Sequence, residues 1–280
     1  MKDKRRFERG FRTGSKREKF LKKTKESVEE ALKSRDMLLG GAAKSIETID
    51  KVINQLTEKL EDWYSVYFPE FRPPEDRKKF VQAVLIINRK NLDVKKLAEV
   101  LGEKKADEIV GKAGKSLGAE LEDRDMKQIY TLAESILELY GLAEGYEEYQ
   151  NTLARELCPN VSTVAGPDIA AKLVAHVGSL KRLGILPSST IQIIGAEKAL
   201  FKHLKNKKIA PPKHGIIFQH AKISSSPKAV RGKIARALAN KIALAARADA
   251  FTKRYIADGL KEDFEKRFRE IMEGYKKGKK

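Results

Sequence analysis

Three sets of residues have the types and spacing that chemistry requires. Gly111-Lys112-Ala113-Gly114-Lys115-Ser116 looks like the end of a phosphate-binding loop, where backbone N–H groups and a lysine hold a nucleotide. The full motif needs a glycine five residues before Gly114, where this sequence has Ile109, and no strand pattern precedes it. Solvated turns between short helices are expected there instead of a nucleotide-dependent enzyme. The histidines His176, His203, His214 and His220 lack His-x-x-x-His spacing and any nearby cysteine, so no metal and no cofactor is expected. Glu197 has no nucleophile or second carboxylate beside it, so no residue is assigned a catalytic role and the chain reads as a non-enzyme. What remains are the cations. Lys198, Lys202 and Lys205 fall at i, i+4 and i+7, and Lys233, Arg236, Asn240 and Lys241 recur at helical spacing. Each set is a basic helix face backed by Ala and Leu, able to lie along a phosphate backbone.

The charge balance agrees with that assignment. The 280 residues carry 58 Lys and Arg against 39 Asp and Glu, a formal net charge of +19. Residues 1–25 contribute a net +9, 26–119 are neutral, 120–158 contribute −7 and 159–280 contribute +17. This division predicts a middle that meets protein and a C-terminal half that meets nucleic acid. Cys158 is the single cysteine, which excludes an internal disulfide and a Cys-based zinc site. No run of 18 apolar residues exists and the N-terminus is too charged for a secretory signal, so no membrane partner and a cytoplasmic location are expected.

Long helices must position these faces. From Leu39 the apolar residues step by three and four through Ala42, Ile46, Ile49, Ile53, Leu56, Leu60, Trp63 and Tyr67, up to Phe68-Pro69. A second seam runs through Ile129, Leu132, Ile136, Leu139, Ala143, Tyr146, Gln150, Leu153 and Leu157, up to Pro159. Heptad spacing predicts an antiparallel coiled-coil pair, with the first helix starting near Lys25. Residues 70–122 form a small helical insert. A rod that buries one stripe per helix invites a second copy, so a homodimer through the coiled coil is expected. The predicted organisation is all-α: a basic arm at 1–25, a coiled-coil dimerisation domain at 26–158, a basic domain at 159–258, and a charged helix and tail at 259–280.

Residues 159–258 carry the densest patterning, above all Gly195-Ala196-Glu197-Lys198-Ala199-Leu200-Phe201 and Arg231-Gly232-Lys233-Ile234-Ala235-Arg236-Ala237-Leu238-Ala239-Asn240-Lys241 with Ala245-Ala246-Arg247-Ala248-Asp249. This stretch resembles the Nop domain of box C/D ribonucleoprotein scaffolds, and the long helices before it extend the resemblance over roughly residues 25–258. The resemblance implies a scaffold that guides RNA 2′-O-methylation. It would bind box C/D guide RNA at a kink-turn together with a small kink-turn-binding protein. On this view Gln192, Gly195, Lys198, Lys202, Lys205, Arg231, Lys233 and Arg236 touch RNA, while Ala196, Glu197 and Phe201 touch the protein partner. Fibrillarin, the methyltransferase, docks on a separate N-terminal domain in such proteins. That domain is not expected here, and neither is direct fibrillarin binding. The short Lys276–Lys280 tail favours an archaeal source over eukaryotic relatives with long Lys/Glu repeats. A spliceosomal-type Nop protein, or a plain coiled-coil interaction protein, is the alternative.

Overall fold

The computed structural model describes residues 16–26, 28–29 and 35–277, and among them every regular element is helical. Residues 1–15 of the expected basic arm fall outside the described residues, whereas residues 16–26 are helical, so Lys25 lies within a helical stretch instead of near a helix start; the first long helix described, α1, is Asp36–Tyr67. The chain forms two compact units, one of Ala42–Tyr149 and one of the described residues within Met1–Gly41 and Gln150–Lys280.

The first unit takes α1 from Ala42 onward, then α2 (Arg77–Ile86), α3 (Val94–Leu101), α4 (Glu103–Ala113) and α5 (Asp123–Leu157) as far as Tyr149. Asp76 and Asp93 start α2 and α3 by accepting from the amides of Lys78 and Lys96 at 3.0 and 3.2 Å, satisfying donors a helix start leaves open. Ile53, Leu60 and Tyr64 of α1 share one core with Ile129, Ala133 and Ile136 of α5 and with Phe80, Val81 and Val84 of α2. Ile46 is buried, and Ile49, Leu56 and Leu139 are half-buried at its edge.

The seam departs from the predicted one at Trp63, which is 53% exposed, while Tyr64 is 1% exposed and Thr57 is fully buried. The buried line runs 46, 53, 57, 60, 64, 67, close to the 3.6-residue period of a straight helix. A strict 3.5-residue heptad requires supercoiling to hold 56 and 63 inward. Along α5 the residues from Glu144 to Tyr149 are all exposed, including Tyr146, which the predicted seam had counted as an inward position.

The segment that looked like a phosphate loop is the last turn of α4 and the turn after it. Lys112 pairs with Glu108, and Ser116 donates to Glu70 at 2.6 Å. Arg89 closes this corner by donating to Ser116 Oγ and to the carbonyls of Tyr67 and Gly118.

The second unit is built around α12 (Lys228–Arg247), which packs against α6 (Pro159–Ala165), α8 (Leu180–Ile185), α9 (Ser188–Ile193) and α13 (Ala257–Lys277). Between α6 and α9 lies α7 (Pro167–Val177), and between α9 and α12 lie α10 (Glu197–Lys205), a 3₁₀ turn (Ile216–Gln219) and α11 (Ala221–Ser224). Val230, Ile234, Leu238 and Ile242 form the buried stripe of α12. After Arg247 the helix widens into a π turn (Ala248–Thr252) that carries Asp249 inward. Pro159 opens α6, and the next two amides, those of Asn160 and Val161, have no helical acceptor. Asp249 accepts from both, at 3.1 and 2.9 Å, and from Asn160 Nδ2 at 2.6 Å. Asn160 in turn accepts from the Ile256 amide and donates to the Arg254 carbonyl. Burial pushes the Asp249 carboxyl up, against the pull of those N–H groups.

Candidate nucleic-acid interface

Residues 196–214 leave the core of the second unit and return to it. At the base of this excursion the amide of Gly215 donates to the Gln192 carbonyl at 3.0 Å, and that of Ile216 to Ile194 at 2.7 Å. Two glycines make this closure possible. Gly195 turns the chain at φ 85°, a conformation side chains rarely adopt. At Gly215 a Cβ would lie 1.8 Å from the Ile194 oxygen. Glu197 then starts α10 by accepting from the Gly195 amide at 2.8 Å and pairing with His176 Nε2 at 2.8 Å. Partial burial works to raise its carboxyl, but the Gly195 and Glu197 amides and the His176 ring outweigh it and hold it below the usual carboxylate range. Glu197 is thus a fastening of the turn, and its ionised state suits the positive end of α10.

α10 buries none of its residues. Lys198, Lys202 and Lys205 are exposed, and no carboxylate pairs with them among the described residues. Phe201 is 65% exposed, and Leu204 and Ile209 are also open to solvent. The apolar side chains of α10 therefore present themselves outward beside the three ammonium groups. His203 stiffens the excursion by donating from Nδ1 to the Ile209 carbonyl. Ala196 sits half-buried at the helix start without a capping side chain.

The remaining candidates divide into two groups. Arg231 is half-buried: its guanidinium donates to the carbonyls of Ser226 and Ser224 at 2.7 and 2.9 Å and lies over the Phe218 ring, which stacks on His214. Burial, then the Arg231 charge, lowers the His214 pKa, so the imidazole stays neutral at pH 7. Lys233 and Arg236 lie on the solvent side of α12. They line an open groove of about 1030 Å³ between α12, α13 and the Pro211–Lys213 loop. Gln192 belongs to the same wall and holds the loop by donating from Nε2 to the Lys213 carbonyl at 2.7 Å. No residue of α10 lines this groove, so the predicted cations lie on two distinct surfaces.

Asn240 and Lys241 of the predicted α12 face line the same groove, while sequence spacing missed Lys213, Lys266 and Arg267, which line it too. Lys266 and Arg267 stand in a run of alternating charge, the usual signature of a merely solvated helix, and nothing local marks them as facing α12. Cys158 is buried and its thiol is pushed up to about 12 by burial, so it stays protonated. Among the described residues no three His, Cys, Asp or Glu side chains are grouped to hold a metal ion, and no helix is long and apolar enough to cross a membrane.

Comparisons with known proteins bear on this geometry. Residues 45–270 match the family model Nop, described as a snoRNA binding domain, fibrillarin. An uncharacterized NOP5 family protein of Methanocaldococcus jannaschii is 42% identical over 257 residues, covering 91% of this chain and 61% of the relative. Nucleolar protein 58 of Candida albicans is 33% identical over 77% of this chain and 42% of its own length. Nucleolar protein 56 of Dictyostelium discoideum is 36% identical over 74% of this chain and 39% of its own length. The chain thus matches about two fifths to three fifths of the length of these relatives. Among solved structures, a fibrillarin/Nop5p complex superposes with a TM-score of 0.53 at 28% identity, over 90% of this chain and 78% of that one.

Proposed function

The chain belongs to the Nop family, and from that membership we propose that it is a non-enzymatic scaffold of a box C/D ribonucleoprotein, holding guide RNA in place for 2′-O-methylation. The observation that carries this reading is α10. It offers three lysines without carboxylate partners on one helix, next to exposed Phe201 and Leu204, on a base fastened by Gly195 and Glu197. Phosphate-binding cations beside an apolar surface suit a composite target, a kink-turn RNA already bound by a small protein. Lys198, Lys202 and Lys205 would meet the bent backbone, and Phe201 with Ala196 and Glu197 the protein. Lys233, Arg236 and Gln192 would meet RNA on the groove side, and Arg231 would act by holding the Ser224–Ser226 turn. Each contact is modest alone, and coupling them makes binding conditional on the preassembled pair.

Self-association is the second part of the proposal. Val52, Trp63 and Val66 recur at i, i+11 and i+14 on one exposed face of α1, with half-buried Leu56 between them. An exposed apolar stripe of that length on a long helix supports pairing with a second copy. The likeness to a Nop5p solved with fibrillarin supports a fibrillarin methyltransferase as a further component of the particle.

The test is a gel shift of the full chain on naked kink-turn RNA and on the same RNA pre-bound by its small protein. The expected result is binding at least tenfold tighter to the pre-bound complex, weakened by Lys198→Ala with Lys202→Ala and falling steeply with salt. Equal affinity for both RNAs would overturn the composite reading.

A further inference from the structure

The neck of the 196–214 excursion leaves its direction open. Its backbone bonds, Gly215 to Gln192 and Ile216 to Ile194, join neighbouring residues, and the bond from the Gln192 side chain to Lys213 lies beside them. Together they act as a hinge. α10 buries no residue, so packing does not set the angle at which it stands. A body held along one line needs a hold away from that line to keep a single orientation.

α7 supplies such holds for both ends. Its inward side, with Ile169, Leu173 and Val174, is buried in the core. Asp168, Lys172 and His176 follow one another at i, i+4 and i+8, and each is engaged by a different element. His176 Nε2 meets Glu197 Oε1 at 2.8 Å, the same oxygen that accepts from the Gly195 amide, so the entry to the excursion is tied to α7. Lys172 Nζ donates to Gln219 Oε1 at 2.8 Å, in the 3₁₀ turn that receives the returning chain. Asp168 steadies Lys172 by accepting from it at 2.9 Å, and accepts in turn from Gln150 Nε2 at 3.3 Å. The two holds stand one helical turn apart, about 6 Å along α7. The Lys172 and His176 side chains are 37% and 43% exposed, and contacts that open to water add little to stability. What they can supply is orientation.

We propose that Lys172 and His176 are positioning residues for partner recognition: through Gln219 and Glu197 they clamp both ends of the excursion to α7 and fix the angle of α10. This rests on the composite-target reading above and deepens it. A flexible phosphate backbone adjusts to cations at many angles, whereas RNA and protein surfaces held in one complex must be met together. With the clamp open, the cost of ordering the excursion falls on binding, and most heavily on the composite target.

The experiment compares the full chain with His176→Ala, His176→Gln, Lys172→Met and the double variant His176→Ala with Lys172→Met. All introduce good helix formers at partly exposed positions, so the melting temperature should stay within about 3 °C of the parent. On kink-turn RNA pre-bound by its small protein, His176→Ala and Lys172→Met should each weaken binding about threefold and the double variant about tenfold, while naked RNA changes by less than about twofold. His176→Gln still donates to Glu197 and should bind as the parent does. Hydrogen exchange at the Gly215 and Ile216 amides should quicken in the double variant. Lys172→Met should keep the parent's salt slope, since a lysine that met phosphate itself would take about 0.9 from it. The proposal is overturned if naked and pre-bound RNA weaken equally, if His176→Gln fails as His176→Ala does, if the Lys172→Met slope drops, or if exchange at the neck is unchanged. If the parent shows no preference for pre-bound RNA, the composite reading fails by itself. The clamp then stands or falls on the exchange at Gly215 and Ile216.

Discussion

Asp249 is 1% exposed, and its two oxygens answer three N–H donors at the start of α6. Replacing it with Ala would leave those donors buried and unpaired, at about 1–3 kcal/mol for each one that water cannot reach. Asp249→Ala should therefore lower stability by on the order of 3 kcal/mol in urea unfolding followed by circular dichroism. An unchanged midpoint would mean the donors find other acceptors. Both partners lie in patterned stretches of the sequence, Pro159-Asn160 and Ala248-Asp249, yet nothing local says that residues 89 apart meet. The same gap explains Arg231 and Lys266. Composition marks each as a cation; only the packed neighbours make one a fastening of the Ser224–Ser226 turn and the other a wall of the groove.

At the scale of elements, hydrophobic period did most of the work that sequence can do. It located α1 and α5, because a stripe repeats at the helix's own period whatever lies opposite, while α12 was marked by its cations at helical spacing. What it could not fix is phase over many turns: heptad and straight-helix periods part by about 20° per heptad, enough to exchange Trp63 for Tyr64 by the end of α1. This gives a paired prediction. Ile53→Asp puts a charge in the core shared with α5 and should cost several kcal/mol, seen as lost helicity on mild heating. Trp63→Ser, on the exposed face, should leave the melting curve nearly unchanged and reduce the mass seen by light scattering if that face pairs two copies. Comparable destabilisation by both would return Trp63 to the core. For α10 the period was equally legible, but its apolar side is not buried in this chain, and no pattern within nine residues distinguishes packing inward from waiting for a partner.

For the whole molecule, the division of charge foretold which half would carry the cationic surfaces, since net charge accumulates wherever a large anion is to be met. It could not foretell that they would be two, one on α10 and one between α12 and α13, because both draw on the same basic stretch of sequence. The excursion of residues 196–214 has a further consequence. Its ends are joined by two backbone hydrogen bonds and its helix contributes nothing to the core, so it behaves as a cassette plugged into a finished domain. Folding and recognition are thereby uncoupled: substitutions between Lys198 and Lys208 can alter what is bound without drawing on stability, so partner choice can drift while the scaffold stays fixed. Limited trypsin digestion makes the separation visible. The first cuts should fall among Lys202, Lys205, Lys207 and Lys208, and the nicked chain should keep its full helicity and its melting temperature while losing its hold on the RNA–protein complex.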